Sequence, residues 1–397
     1  MMNVINRISE KEYDYVKEVL GWGFRSSAGY RMTKRLEEAF SEKFESKYAI
    51  AFCNGTATLH IALEAVGVGI GDEVIVPPLT MSATTFGVLH ANATPVFADV
   101  DPETYQITAE SIEKCITPRT KAIIIVSLYG LAPDFDKIMA VAKKHNLAVI
   151  EDDAQCFLGK YKGKTVGTFG DISSFSFQAS KHMTCGEGGM LITQSEELAQ
   201  KIRCYSCLGY AGVGTNKGKI SKTDIQDPDY SRHISIGWNY RMSEVSSAVA
   251  LGQIEHLDEL VEMRKASAKL FNDAVSGSKI VVPQKVGTDY ESAYWAAPMT
   301  LVDDTITWKQ FRDKYLELGG DGVYAAWKLT YQEPFFRNMT MLRREGFLNK
   351  GISYEDGICP VAEYLQPRIL AFKSNYYDLE VAKIKADALA KTVDYFK

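Results

Sequence analysis

YAIAFCNGTATLHIALEAVG, residues 48–67, passes from one structural period to another within a single short stretch. Tyr48 to Phe52 are apolar on consecutive positions, as in a strand covered on both faces. Leu59, Ala62, Leu63 and Val66 then recur at i, i+3, i+4 and i+7, the spacing of one helix face, and the face stops at Gly67. A strand that feeds straight into a helix is the building unit of an α/β fold, so the fold turns on whether the unit repeats.

It does. Further β-rich runs are EVIVPP (73–78), TPVFADV (94–100), KAIIIVSLYG (121–130), LAVIEDD (147–153) and ISSFSF (172–177). Between two of them Pro133 opens a segment in which Ile138, Val141, Ala142 and His145 share a face. The rhythm predicts an α/β protein whose large domain, residues 1–242 with the N-terminal helices, holds a mainly parallel, mixed sheet between helices. After DIQDPDYSRH (224–233), which has turn chemistry, the texture changes. Residues 243–275 read as one long helix or two end to end, with Ser243 as N-cap. SAYWAAPMTLV (292–302) reads as a strand, TWKQFRDKYLELGG (307–320) as a helix ending on glycine, and the chain from about Leu379 as helical. These predict a long linking helix and a smaller α+β C-terminal domain, residues 243–397.

Composition narrows the function classes. With 397 residues, 46% apolar, 24% charged and a formal charge of −5, the chain is an ordinary globular one. No block of Lys or Arg points to nucleic acid or a membrane surface, and no run is apolar for long enough to span a bilayer. MMNVINRISEKEYDYVKEVL lacks the pattern of a secretory signal, and seven scattered cysteines suit reduced thiols, so a cytoplasmic address is expected. Cys204 and Cys207 form a C-x-x-C pair without a second pair or histidines at ligand spacing, and no metal site is expected.

Ligands of open α/β sheets sit beyond the carboxyl ends of the strands, and four such places carry polar groups. The step Gly55-Thr56-Ala57 enters a helix, whose first N–H groups and positive dipole end suit a phosphate; an ordinary capped helix start reads the same way. VIEDDAQ (149–155) sets Asp152 and Asp153 at a strand end, where alternation turns them to different sides. FSFQASKHMTCGEGG (175–189) sets Lys181 in a loop of small residues directly off a strand, with Ser176 before it and three glycines after it. GWNYRMSE (237–244) offers Asn239 and Arg241. A lysine whose surroundings favour the free amine, a phosphate cradle and a carboxylate form the set that pyridoxal 5′-phosphate (PLP) needs.

Together NGTATLHIAL, VIEDDAQ, SFSFQASKHMTCGEGG and GWNYRMSEVSSAVALGQ, in this order, resemble the DegT-type sugar aminotransferases, PLP enzymes of fold type I, from about Gly29 to the C-terminus. The resemblance implies that Lys181 forms the Schiff base and that Asp152 meets the pyridine nitrogen. It further implies that Gln155 lies near the phenolic oxygen, that Thr56, Ala57 and Ser176 hold the phosphate beside Gly55, and that Asn239 reaches the phosphate of a second subunit in a homodimer with shared sites. Met81 stands where relatives place an aromatic residue over the ring, and Trp327 stands at or near a histidine of many relatives. A dehydratase branch carries histidine at the lysine position. Counting from Ser176 and Gly186 puts Lys181, not His182, in register, which favours transamination. The implied reaction moves an amino group from glutamate or glutamine to a keto sugar, a nucleotide-linked keto-deoxyhexose foremost. The alternatives are a keto-cyclitol or small phosphorylated ketone as acceptor, and a PLP-dependent sugar dehydratase.

Overall fold

The computed structural model describes residues 4–24, 31–210 and 226–397. Gly29, where the family resemblance begins, and residues 224 and 225 of the loop at 224–233 lie outside the described residues.

All six β-rich runs form strands: β1 Tyr48–Phe52, β2 Glu73–Val76, β3 Thr94–Phe97, β4 Thr120–Val126, β5 Ala148–Asp152 and, after the short β6 Lys160–Tyr161 and β7 Lys164–Thr165, β8 Ile172–Ser176. A strand that the sequence reading did not single out, β9 Gly189–Thr193, completes a seven-stranded sheet in the order β1-β9-β8-β5-β4-β2-β3. Only β9 runs against the rest, pairing antiparallel with β1 and β8, while β5 pairs parallel with both β4 and β8. Alternation sorts each strand between two cores, as expected of a buried sheet. Ala122, Ile124 and Val126 face one cluster, and Ile123 and Ile125 face the other.

The helix after β1 runs Gly55–Ala65, and Gly67 beyond it has φ +81°. The helix Phe135–His145 corrects one expectation: its N-cap is Asp134, whose carboxylate accepts from Lys137 N at 3.2 Å, so Pro133 stands outside the first turn. Residues 243–275 form two helices end to end, Glu244–Glu255 and Leu257–Ala274, with Ser243 capping the first. His256 breaks them at φ −122° and ψ 21°. A second sheet follows. Its strands are β10 Val281–Pro283, β12 Ala296–Leu301, β13 Val323–Ala325 and β14 Ile369–Lys373, in the antiparallel order β10-β12-β14-β13, and the short β11 Tyr290–Glu291 pairs with β6 instead. Phe271, Phe311, Tyr315, Phe372 and Leu389 pack it against the helices Leu257–Ala274, Trp308–Glu317 and Leu379–Tyr395.

Residues 330–362 cross back over the large sheet at its β3 edge. Asn349 N donates to Thr94 Oγ1 at 2.9 Å, and its side-chain amide donates to Gly71 O and Glu73 Oε1 at 3.1 Å each. Tyr354 OH donates to Pro95 O at 2.9 Å, and Asp99 accepts from Val361 N and Ala362 N, both at 2.9 Å. Phe97 is ringed by Tyr331, Phe336 and Tyr354. An open edge strand offers unpaired backbone groups to other chains, and this crossing covers it.

Candidate active site

The sheet order brings the carboxyl ends of β1, β2, β4, β5 and β8 to one edge. Where β8 ends, Phe177 N donates to Gly188 O at 2.8 Å and Thr184 Oγ1 to Phe177 O at 2.9 Å, which closes the chain between them into a tight loop. Lys181 lies in that loop. Its amine stands 5.3 Å from the centroid of the Trp295 ring. The residue is half-buried, yet burial of the amine pulls its pKa down to about 8 against the opposing charge of Asp152, and Arg264 lowers it further. A group ordinarily protonated at neutrality is thereby brought within reach of the free amine, as a nucleophile or proton carrier requires.

The neighbouring His182 does other work. It is buried, and its Nε2 pairs with Ala293 O at 2.9 Å. Burial holds its pKa well below the usual value, so the ring is neutral.

Asp152 closes β5 and is buried. Thr84 Oγ1 donates to its Oδ2 at 2.8 Å and Ala154 N to its Oδ1 at 3.3 Å. Burial raises its pKa, opposed by the Thr84 hydroxyl and the charge of Lys181. Asp153 turns to the other side, as alternation requires, and accepts from Ser127 Oγ at 2.7 Å. Burial, and then the nearby charge of Glu151, hold its pKa well above the usual carboxylate value. Glu151 in turn accepts from Gly167 N, Phe169 N, Gly170 N and Ser173 Oγ at 2.7–2.9 Å. Of three consecutive carboxyls, Asp152 alone faces the lysine.

At the end of β1, Asn54 caps the helix Gly55–Ala65 by accepting from Ala57 N at 2.8 Å. The Ala57 N–H offered to a phosphate in the sequence reading is therefore engaged in this structure. The N–H groups of Gly55 and Thr56 remain without helical partners. A Cβ on residue 55 would lie 2.8 Å from Ser176 Cβ and 3.1 Å from its Oγ, so glycine is what lets the Ser176 hydroxyl approach the helix start. Gln155 is buried, and its Oε1 accepts from Tyr129 N at 2.8 Å, which fixes the amide with its NH2 as the free end. Met81 stands half-exposed before the helix Ala83–His90, its sulfur accepting from Ala83 N at 3.0 Å. Asn239 is exposed on its own chain, in backbone pairing with Cys207.

Three residues that matter here were not singled out from sequence. Thr84 and Trp295 have no local signal. Arg264 has one: Leu257, Leu260, Val261, Arg264, Ala268 and Phe271 fall on one buried helical stripe, so a charge sits on an apolar face. Trp295 stacks on Trp327 (centroids 5.7 Å apart) and Tyr129 (6.2 Å), and Trp327 lies nearly parallel to Tyr129, at 7°. The departure noted at Trp327 thus adjoins the ring beneath Lys181.

The profile of the DegT/DnrJ/EryC1/StrS aminotransferase family matches residues 6–370. The chain belongs to that family. It is similar to GDP-perosamine synthase of Escherichia coli O157:H7, 40% identical over 288 residues, 72% of this chain and 74% of that one. It is also similar to L-glutamine:2-deoxy-scyllo-inosose aminotransferase of Micromonospora echinospora, 34% identical over 373 residues, 90% and 86% of the two chains. Among solved structures, the aminotransferase from Psychrobacter cryohalolentis superposes with a TM-score of 0.86 at 31% identity, covering 98% of this chain and 97% of that one. The PLP-form structure of Spr1654 from Streptococcus pneumoniae shares the fold, with a TM-score of 0.81 at 22% identity over 99% of each chain.

The protein is an aminotransferase of fold type I, and its cofactor is pyridoxal 5′-phosphate. The residues present fit that group. The buried Asp152 carboxylate would oppose a protonated ring nitrogen, and the Gly55–Ser176 approach forms a cradle that one added carbon would fill. Among the described residues no group of His, Cys, Asp and Glu is placed to hold a metal ion, and no helix is long and apolar enough to cross a membrane. All seven cysteines are unpaired.

Proposed function

We propose that this chain moves an amino group from glutamate or glutamine to a nucleotide-linked keto-deoxyhexose. The observation that carries the reading is the amine of Lys181, partly deprotonated near neutrality and electrostatically paired with the buried Asp152. The GDP-perosamine synthase likeness supports the acceptor class.

In this reading residues 1–242 supply the cofactor domain and 243–397 the linking helix and small domain. Lys181 Nζ would hold the cofactor at its aldehyde carbon, and Asp152 would oppose its ring nitrogen. Thr84 keeps the Asp152 carboxylate ionised and oriented. Gln155 donates its NH2 to the phenolic oxygen, and Gly55, Thr56, Ala57 and Ser176 surround the phosphate. When bound, PLP supplies a sink for the electron pair released as the C–H bond beside the donor's nitrogen breaks. Lys181 Nζ, once free as an amine, would be the group placed to take that proton as a base and to return it as an acid. Met81 would offer the ring a flexible thioether contact in place of an aromatic residue. Asn239, exposed on its own chain, completes the phosphate site of a second copy, which makes the working unit a homodimer. The seven unpaired cysteines support a cytoplasmic setting.

A second reading takes a keto-cyclitol as acceptor. The Micromonospora relative, which matches over 90% of the chain, favours it. The dehydratase alternative lacks support, because His182 is turned into the core. Purified protein loaded with PLP is expected to be yellow, to bleach with glutamate or glutamine alone, and to regain colour with the true acceptor. Nucleotide-linked 4-keto and 3-keto hexoses tested against keto-cyclitols separate the two readings. Colour that neither donor discharges overturns both.

A further inference from the structure

Arg264 is 3% exposed, and its guanidinium is spent on backbone carbonyls. Nη2 donates to Ser180 O at 2.9 Å and Lys181 O at 3.0 Å, while Nη1 donates to Trp295 O at 2.8 Å and reaches Ser374 Oγ at 3.4 Å. Trp295 Nε1 donates to the same Ser180 O at 3.0 Å. Arg7 Nη2 bonds the preceding carbonyl, Ala179 O. Three successive carbonyls of the lysine loop are therefore gripped by two arginines. The same fork holds both the lysine's backbone and the tryptophan whose face lies under its amine.

Among the described residues no carboxylate pairs with Arg264. A buried cation without an ionic partner is costly, and neutral amide donors would serve carbonyls at less expense of solvation. The charged groups around Lys181 are Asp152 from β5, which favours its protonated form, and Arg264 from the helix Leu257–Ala274, which opposes it; His182 is neutral. Around Arg264 itself stand Arg7 and Tyr377.

We propose that Arg264 is a positioning residue for the reaction, fixing the Lys181 loop against Trp295 by its planar fork and setting its buried charge beside the lysine. The inference rests on the role given to Lys181 above. It separates two properties of one side chain. A lysine at 264 keeps the charge and loses the fork, and a glutamine keeps carbonyl donors and loses the charge.

The test uses Arg264→Gln and Arg264→Lys in the full-length protein. In cofactor-free protein, the rate at which Lys181 is modified by trinitrobenzenesulfonate, mapped by mass spectrometry, is followed against pH. Removing a neighbouring positive charge favours the protonated amine. Arg264→Gln is therefore expected to slow labelling near pH 7, with the rate profile displaced toward higher pH, whereas Arg264→Lys keeps the original profile. With PLP bound, the pH at which the Schiff-base colour changes is expected to move the same way in the glutamine variant only, while kcat falls in both with little change in KM for the donor. A glutamine variant that folds, by its circular dichroism, and keeps the original labelling profile overturns the proposal, as does an equal displacement in both variants. If the unsubstituted protein takes up no PLP, the proposed function fails instead, and the labelling experiment still decides the role of Arg264.

Discussion

Thr84→Val tests how the site keeps a carboxylate charged where no water can solvate it. The substitution removes one hydroxyl from a buried contact of 2.8 Å and nearly preserves shape. A hydrogen bond to an ionised group contributes about 1.5–3 kcal/mol. Its loss shifts the protonation equilibrium of Asp152 roughly ten- to a hundredfold toward the neutral acid. The direction follows from the cause. Burial already raises this pKa and the Thr84 hydroxyl lowers it, so without the hydroxyl it rises further. The form able to meet a cationic ring nitrogen then exists only at higher pH. PLP affinity, measured by fluorescence quenching across pH, is expected to fall by roughly ten- to a hundredfold near neutrality in the variant, and the deficit should shrink as the solution becomes alkaline. A pH curve that overlays that of the unsubstituted protein, or a deficit of equal size at every pH, would refute the account of Asp152.

Four further outcomes are expected. Gly55→Ala places a carbon 2.8 Å from Ser176 Cβ and 3.4 Å from its Cα; overpacking of this kind costs about 1–3 kcal/mol, so cofactor affinity should drop roughly five- to a hundredfold with little change in circular dichroism. Lys181→Ala should abolish the Schiff-base absorbance while inorganic phosphate still competes for the cradle, which equilibrium dialysis can follow. Asp153→Asn replaces a carboxyl whose raised folded-state pKa contributes stability below the unfolded value, about 3.9, and loses it as pH rises through the folded one; the variant should therefore gain Tm relative to the unsubstituted protein on the alkaline side and lose that advantage in acid. Trp327→His should alter the ranking of acceptors, read as kcat/KM ratios, and leave bleaching by the amino donor unchanged.

Much of this protein can be read from its sequence because a buried sheet writes itself as consecutive apolar residues. KAIIIV and AVIED needed no partner to be recognised, and the order of motifs carried the cofactor set. β9 was harder: GMLIT follows the lysine loop with glycine in its first position, and its antiparallel course is fixed only by pairing with β1 and β8. Pro133 misled because proline favours a first helical turn, yet the carboxylate next to it made the better cap. Asp152 and Asp153 could be divided by alternation alone. What stood beside Asp152 could not, since Thr84 meets it across 68 positions of chain. Arg264 was visible as a charge on an apolar stripe, but its partners are main-chain carbonyls, which no residue name records.

The covering of β3 has a consequence for how the chain is made. Thr94 and the Asn349 that bonds it are separated by 255 positions. At ordinary synthesis rates of about 5–20 residues per second, the nascent sheet carries a bare flank for roughly 13 to 50 s before its cover emerges from the ribosome. Expression at high yield should therefore depend on chaperone supply during elongation. A message truncated ahead of residue 349 should yield a product that gathers in inclusion bodies.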